Sequence, residues 1–265
     1  MEPKNMQIVA IIPARMGSTR FPGKPLCPIL GLPMIEHVYR RTSMCRTLDA
    51  VYVATCDQAI MDAVKSFGGK ALMTSSRHER ASDRVAEAME TLEADIVVMV
   101  QGDEPMVHPE MIDAALKPFF SKDKRTICVN LTVPITTEND FTNPNTIKVV
   151  MDTEDYAVYM SREAVPTRQL KPFGQIPAYK QVCIIPFTTA GLKLFNQLPP
   201  TPLEEAESID MLRFIEHGYK VKMVETPHAT QAVDTEEDRL LVESLMHDDP
   251  LTLQYLKTTG RTTSK

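Results

Sequence analysis

The first apolar run of the chain, residues 8–12, is followed at once by a polar loop rich in cations, glycines and hydroxyl groups. Cationic side chains can pair with phosphate oxygens, and glycines allow backbone N–H groups to approach a ligand closely. A loop of this composition at the end of a strand therefore predicts a polyphosphate site. The residues of this loop that we assign to this site are Ala14, Arg15, Gly17, Ser18, Thr19, Arg20 and Lys24.

The spacing of this loop differs from two common phosphate-binding motifs. Five residues separate Gly17 from Gly23, where a Walker loop has four, and Pro25 follows Lys24 where that loop has Ser or Thr. The pattern Gly-x-Gly-x-x-Gly is also absent, which disfavours an NAD-type oxidoreductase. The alternative is an ordinary surface loop with solvated cations. Three cations and two glycines directly after a first strand favour the ligand site over that alternative.

Two aspartates lie where a carboxylate could face this loop. Asp103 follows the apolar run 96–100 and a glycine, which places it at the carboxyl edge of a sheet. Asp234 precedes the last predicted helix, where its alternative role is that of a helix cap. Since Mg²⁺ in nucleotide sites takes one or two carboxylates plus phosphate oxygens, we predict a magnesium site at Asp103, with Asp234 as the second candidate ligand.

The elements that must position these residues alternate along the first hundred residues. Strand, helix and strand in regular succession favour parallel pairing through right-handed crossovers, and hence an α/β fold. The predicted strands are residues 8–12, 50–55, 70–73 and 96–100. The predicted helices are residues 33–42, 58–67, 82–92 and 109–119.

The remainder of the chain is predicted to be richer in strands until its last helices. We expect a single domain over residues 1–248, with a strand-rich inserted subdomain at about 125–187, and a partly disordered C-terminal tail at 249–265. The predicted strands are residues 126–133, 146–151, 157–160, 179–185 and 220–225. The predicted helices are residues 188–197, 201–217 and 235–246.

Composition excludes several classes of protein. A formal charge of -6 with 43% hydrophobic residues is typical of a globular protein and disfavours a general nucleic-acid binder. No apolar stretch has the length of a signal peptide core or a membrane span. The five cysteines lack C-x-x-C spacing, so we expect reduced thiols and a cytoplasmic protein.

An ordered set of motifs gives the chain a family resemblance. The polar loop, Gln-Gly-Asp-Glu-Pro at 101–105 and the Val-Asp-Thr run at 233–238 resemble the signatures of the sugar-acid cytidylyltransferases. The most similar branch is that of the 3-deoxy-manno-octulosonate (KDO) cytidylyltransferases, or CMP-KDO synthetases. The similarity extends from about residue 8 to 245. Further matches are residues 143–145, 148–150, 156–162 and 202–204, with His78, Arg84 and Glu207.

The resemblance implies a fold, a reaction and a set of roles. The fold would be that of the Rossmann-like nucleotide-diphospho-sugar transferases, a mixed, mostly parallel sheet with helices on both faces. The reaction would move CMP from CTP to a KDO-type 2-keto-3-deoxy sugar acid and release pyrophosphate, as a step of lipopolysaccharide biosynthesis in a homodimeric enzyme. Asp103 and Asp234 would hold Mg²⁺, and Lys24, Arg15 and Asp103 would be catalytic. His78, Arg84 and Gln101 would join the loop residues in binding the nucleotide.

The acceptor motifs depart from the family pattern. Where the family has Arg/Lys-His-x-Gly-x-Tyr, this chain has Lys180 to Ile185, with Gln181 at the histidine and Cys183 at the glycine. A site that loses the polar groups matched to its ligand can discriminate against that ligand by about 10⁴-fold in kcat/KM. A different anionic acceptor (another ulosonic acid, a small carboxylate or a phosphonate) therefore stays open, as does a non-catalytic nucleotide-binding protein. The residues that the resemblance assigns to the acceptor are Arg162, Gln181, Glu204, Glu207 and Met211. For Arg162 the alternative is a solvated loop arginine.

Overall fold

The computed structural model of the protein describes residues 6–17, 21–121, 126–228 and 230–258. The chain forms two compact units, and the first combines Met1–Ile112 with Thr230–Lys265. The second unit is Asp113–Ala229. The predicted insert at about 125–187 lies inside the second unit, which also includes the helices and the strand that follow it.

The strands and helices largely follow the predicted alternation. The strands are β1 (Ile8–Ala14), β2 (Pro28–Ile29), β3 (Leu32–Pro33), β4 (Ala50–Thr55), β5 (Ala71–Met73), β6 (Ile96–Val100), β7 (Val129–Pro134), β8 (Lys148–Met151), β9 (Ala157–Ser161), β10 (Tyr179–Val182), β11 (Ile184–Thr188) and β12 (Lys222–Glu225). The helices are α1 (Met34–Ser43), α2 (Gln58–Ser66), α3 (Ala81–Met89), α4 (Pro109–Leu116), α5 (Glu138–Thr142), α6 (Thr189–Gln197), α7 (Pro202–Glu207), α8 (Met211–Glu216), α9 (Glu236–His247) and α10 (Pro250–Thr258).

The sheet of the first unit is parallel and has β1 at its centre. β4 and β6 flank β1, with Val9 opposite Ala50 and Ile8 opposite Ile96, and β5 continues the sheet beyond β4. Every residue of β1 is buried, which explains why this strand is a continuous apolar run. Since parallel strands end at one edge, the loops after β1, β4 and β6 come together there.

The second unit contains a mixed sheet in the order β12-β7-β10-β8-β9. β12 runs parallel to β7, and the remaining neighbours are antiparallel. Two predictions in this unit are corrected. The strand predicted at 179–185 is interrupted at Cys183, and the helix predicted at 201–217 is divided into α7 and α8 because Ser208 adopts a left-handed φ of 52°.

The C-terminal tail, for which the sequence predicted no helix, begins with the helix α10. The Asp249 carboxylate accepts a hydrogen bond from the backbone N–H of Thr252 at 2.7 Å, and Pro250 occupies the first turn. Tyr255 and Leu256 are buried. Residues 259–265, which the prediction of disorder also covers, lie outside the described residues. Among the helices of the described ranges, none combines the length and the apolarity that a membrane span requires.

Candidate active site

The Lys24 ammonium lies at the point where the two predicted metal-binding aspartates meet. Its Nζ donates to Asp103 Oδ2 at 2.7 Å and to Asp234 Oδ1 at 3.2 Å. The third donor of the ammonium goes to the carbonyl oxygen of Val233 at 2.8 Å. The backbone N–H of Val233 in turn donates to the Asp103 carbonyl at 3.0 Å. Residues far apart in sequence are therefore joined into one charged cluster within the first unit.

The electrostatics of this cluster keep Lys24 charged. Burial works against the ammonium, but attraction to Asp103 and Asp234 outweighs burial, so the pKa of Lys24 is raised above its ordinary value. The side chains of Asp103 and Asp234 are 28% and 24% exposed, so each carboxylate also faces solvent. Two carboxylates and a carbonyl oxygen around one cation are the hard oxygen donors that Mg²⁺ prefers, and this donor set fits the metal.

A cleft of about 310 Å³ opens beside this cluster. Its walls come from the loops after β1 and β6 and from the start of α3. A volume of this size is at the lower end of the range for small-molecule sites. The predicted nucleotide-binding residues that line it are Ala14, Arg15, Gly17, Lys24, His78, Arg84 and Gln101. Ser18, Thr19 and Arg20 lie outside the described residues.

Gly102 allows the ends of β1 and β6 to approach each other. A Cβ atom at this position would lie 2.7 Å from the carbonyl oxygen of Pro13, closer than such atoms come in proteins. A side chain at position 102 would therefore clash with the backbone of β1, which explains the glycine before Asp103. It lets the Asp103 loop lie directly against the start of the polar loop.

Arg84 and His78 organise the cleft wall that precedes α3. The Arg84 guanidinium is almost fully buried and donates to Thr74 Oγ1 at 2.5 Å and to the carbonyl of His78 at 3.3 Å. The His78 ring makes a short contact with the Glu87 carboxylate, which also accepts from the backbone of Ser75. Arg84 therefore shapes this wall through its own hydrogen bonds as well as lining the cleft.

Sequence reasoning missed Asp57 as a support for the polar loop. Its Oδ2 accepts a hydrogen bond from the backbone N–H of Met16 at 2.8 Å. Asp57 follows β4, so its position after a neighbouring parallel strand was the available signal. Glu79 and Arg80, which also line the cleft, come from a polar segment without a predicted element.

In the second unit, Glu207 and Arg162 form one polar group. The Glu207 carboxylate accepts from Tyr159, Ser161 and the backbone of Arg162, all at 2.8–2.9 Å. Desolvation opposes the charge of Glu207, but these hydrogen bonds lower its pKa overall. Arg162 is half-buried, and its Nε donates to the Glu207 carbonyl at 2.6 Å, so hydrogen bonds within the second unit hold this arginine.

The other polar acceptor candidate of this unit, Gln181, is engaged by a neighbouring strand. Gln181 Nε2 donates to Asn130 Oδ1 at 2.6 Å. Asn130 is fully buried and donates to the carbonyls of Leu131 and Val182. The side chain of Gln181 is half-buried, and its amide nitrogen is committed to this network.

Two acceptor candidates belong instead to the interior of the second unit. Glu204 is 0% exposed and is paired with Arg213, whose Nε and Nη2 donate to it at 2.8 and 2.6 Å. Met211 is also fully buried, with its Sδ 3.6 Å from the Sγ of Cys128. A dissolved acceptor does not reach enclosed side chains, so the interpretation of Glu204 and Met211 as acceptor contacts is corrected.

The structural role of Glu204 leads to a stability prediction. Glu204→Gln is expected to lower the free energy of unfolding by about 3 kcal/mol, because the buried Arg213 guanidinium loses its counter-charge. Urea unfolding followed by circular dichroism measures the change. Glu205→Gln, on the exposed face of the same helix, is the matched control and should stay within about 0.5 kcal/mol of the parent. Equal unfolding midpoints for the two variants would contradict the prediction.

The chain is similar in sequence to known cytidylyltransferases. A family model described as cytidylyltransferase matches residues 9–225. A curated 3-deoxy-manno-octulosonate cytidylyltransferase of Geotalea uraniireducens is 45% identical over 242 residues, which cover 88% of this chain and 96% of that protein. The corresponding protein of Thermodesulfovibrio yellowstonii is 41% identical and covers 91% of this chain and 99% of its own length.

A solved structure extends the similarity to three dimensions. It is a CMP:2-keto-3-deoxy-manno-octonic acid synthetase complexed with CTP, and it is 38% identical with a TM-score of 0.84. The alignment covers 91% of this chain and 98% of that one. The predicted Rossmann-like nucleotidyltransferase fold, with mixed, mostly parallel sheets, is thereby confirmed.

Proposed function

The chain belongs to the cytidylyltransferase family, and we propose that it transfers CMP from CTP to a KDO-type 2-keto-3-deoxy sugar acid. The observation that carries the proposal is the convergence of Lys24, Asp103 and Asp234 beside a cleft lined by the predicted nucleotide residues. The names of the curated relatives and the CTP complex of the similar structure support the same reaction.

In the proposed reaction, the anomeric hydroxyl oxygen of the acceptor attacks the α-phosphorus of CTP. The bond from that phosphorus to the bridging oxygen of the β-phosphate breaks, pyrophosphate leaves, and the hydroxyl proton passes to solvent. Such transfers depend on positioning and on stabilisation of charge. Arg15 and Lys24, together with Ser18, Thr19 and Arg20, hold the phosphates that become the leaving group. His78, Arg84 and Gln101 complete the nucleotide site.

We assign the magnesium ion to Asp103 and Asp234, whose carboxylates already surround a cation in the form of Lys24. Bound there, Mg²⁺ would neutralise phosphate charge and acidify the acceptor hydroxyl. On the acceptor side, Glu207 and Arg162 are the ordered polar group of the second unit, and we assign them to the sugar acid. From the resemblance alone we also propose a cytoplasmic homodimer that acts in lipopolysaccharide biosynthesis.

A second candidate acceptor is favoured by the changed strand of the second unit. Gln181 is held by Asn130, and Ile185, at the position of the family's tyrosine, is 2% exposed. These side chains present fewer polar groups than the family pattern does. A smaller or differently substituted anion, such as another ulosonic acid, a carboxylate or a phosphonate, is therefore the alternative acceptor for the same CMP transfer.

Pyrophosphate release from CTP and Mg²⁺ with a panel of acceptors tests the proposal. The expected result is release with KDO and none without an acceptor. Release with another anion and not with KDO would keep CMP transfer and replace the acceptor. No release with any acceptor, although CTP binds, would overturn the enzymatic proposal in favour of a nucleotide-binding protein.

A further inference from the structure

A buried histidine connects the C-terminal helix to the segment that follows Lys24. The His37 ring lies between the Tyr255 hydroxyl, 2.5 Å from Nδ1, and the Ile29 carbonyl, 2.7 Å from Nε2. A carbonyl can only accept a hydrogen bond, so Nε2 carries the proton and Nδ1 accepts from Tyr255. Burial lowers the pKa of His37 to about 4, which keeps the ring neutral. By donating to Nδ1, the Tyr255 hydroxyl stabilises the tautomer whose Nε2–H donates to the Ile29 carbonyl.

Arg41, on the same helix as His37, makes the matching connection to the loop that carries Asp103. Its Nη1 is 3.4 Å from the carbonyl oxygens of Met106 and Val107, shortly after Asp103. Its Nη2 makes a short ion pair with the Asp249 carboxylate. A guanidinium is planar and its donors have fixed directions, so the carboxylate on one side orients the donors on the other. Asp249 therefore directs Arg41 towards the backbone of this loop.

Apolar packing and a second helix reinforce the same arrangement. Tyr255 and Leu256 of α10 form a buried cluster with Leu32, against which Leu30 also packs. The backbone N–H of Leu30 donates to the Glu243 carboxylate of α9 at 2.8 Å. The segment after Lys24 thus contacts residues of three helices, α1, α9 and α10.

We propose that α10 is a positioning element of the active site, with Tyr255 and Asp249 as its positioning residues. Tyr255 orients the His37 imidazole, which donates to Ile29 in the segment that follows Lys24. Asp249 orients the Arg41 guanidinium, which contacts the loop that carries Asp103. α10 lies beyond residues 9–225, which the family model matches. The kinetic part of the test rests on the proposed CMP transfer, and the structural part does not.

The test uses the full-length protein with Tyr255→Phe and Asp249→Asn, and with the exposed Gln254→Ala as the matched control. Hydrogen–deuterium exchange without substrates is expected to accelerate at residues 24–32 in the first variant and at 103–108 in the second. In the pyrophosphate assay, kcat is expected to fall between about 10- and 100-fold, because small misplacements of reacting groups have effects of this size. The KM for CTP should change less than about threefold by comparison. The control should match the parent in every measurement.

Each outcome decides for or against the inference. Parental exchange and parental kcat in folded variants would overturn it. A lower melting temperature with both segments and kcat unchanged would also overturn it, since α10 would then only stabilise the fold. Should the parent protein itself release no pyrophosphate with any acceptor, the proposed function fails, while the exchange measurements still decide whether α10 positions the two segments.

Discussion

Lys24→Met is expected to lower kcat/KM for CTP by about 10³-fold, measured as pyrophosphate release at saturating Mg²⁺ and acceptor. The ammonium is a preorganised charge in a partly buried site, and such groups stabilise charge that develops on transferred phosphates and leaving groups. Its loss also leaves Asp103 and Asp234 facing each other without the cation that joins them.

Lys65→Met, on the exposed face of α2, is the matched control because it removes the same charge from a solvated position outside the cluster. It should retain the parental rate. Circular dichroism establishes that both variants are folded, and CTP titration calorimetry separates a loss of binding from a loss of chemistry. A Lys24→Met protein with a rate within tenfold of the parent would remove this lysine from the catalytic machinery.

Asp103→Asn is expected to cost about 10³-fold in kcat and to raise the Mg²⁺ concentration needed for half-maximal rate. An amide keeps the size of the side chain but offers the metal a neutral oxygen in place of a charged one. The amide also loses the ion pair with Lys24, which lies 2.7 Å from the native carboxylate. The first effect would weaken Mg²⁺ binding, and the second would leave the Lys24 ammonium with one of its two carboxylate partners.

A magnesium titration of turnover measures this change. Asp62→Asn, an exposed aspartate of α2, is the control and should give the parental titration curve. If Asp103→Asn lowers kcat without moving the magnesium dependence, Asp103 acts through Lys24 and not as a metal ligand. An unchanged kcat and an unchanged magnesium dependence would contradict both roles.

The convergence of the loops after β1 and β6 was predictable because buried parallel strands leave a strong signal in the sequence. β1, β4 and β6 are apolar runs, and the residues after each of them meet at one edge of the sheet. Asp103 comes shortly after β6, and Lys24 lies in the segment that follows β1. Their convergence at the sheet edge could therefore be inferred from position alone. For Asp234, position alone left the role of a helix cap as the alternative, and the family resemblance favoured the metal role.

The acceptor side was harder because a residue type does not reveal its partner. Glu204 has the capping-box spacing, but its burial depends on Arg213, which packs against it from the next helix. The break between α7 and α8 depends on a left-handed Ser208, which carries no glycine signal. α10 was missed because its helical face is short and is stabilised by contacts with distant residues, not by a long apolar period.

The first unit is discontinuous in sequence, and this has a consequence for its synthesis on the ribosome. Its earlier part, Met1–Ile112, precedes the whole second unit, and its later part begins at Thr230. At roughly 5–20 residues per second, translation of the intervening segment takes on the order of ten seconds. During that time Ile29 and Met34 lack Val233, Val242 and Met246, the other buried residues of their apolar cluster. The nascent chain should therefore be a substrate for chaperones in this interval.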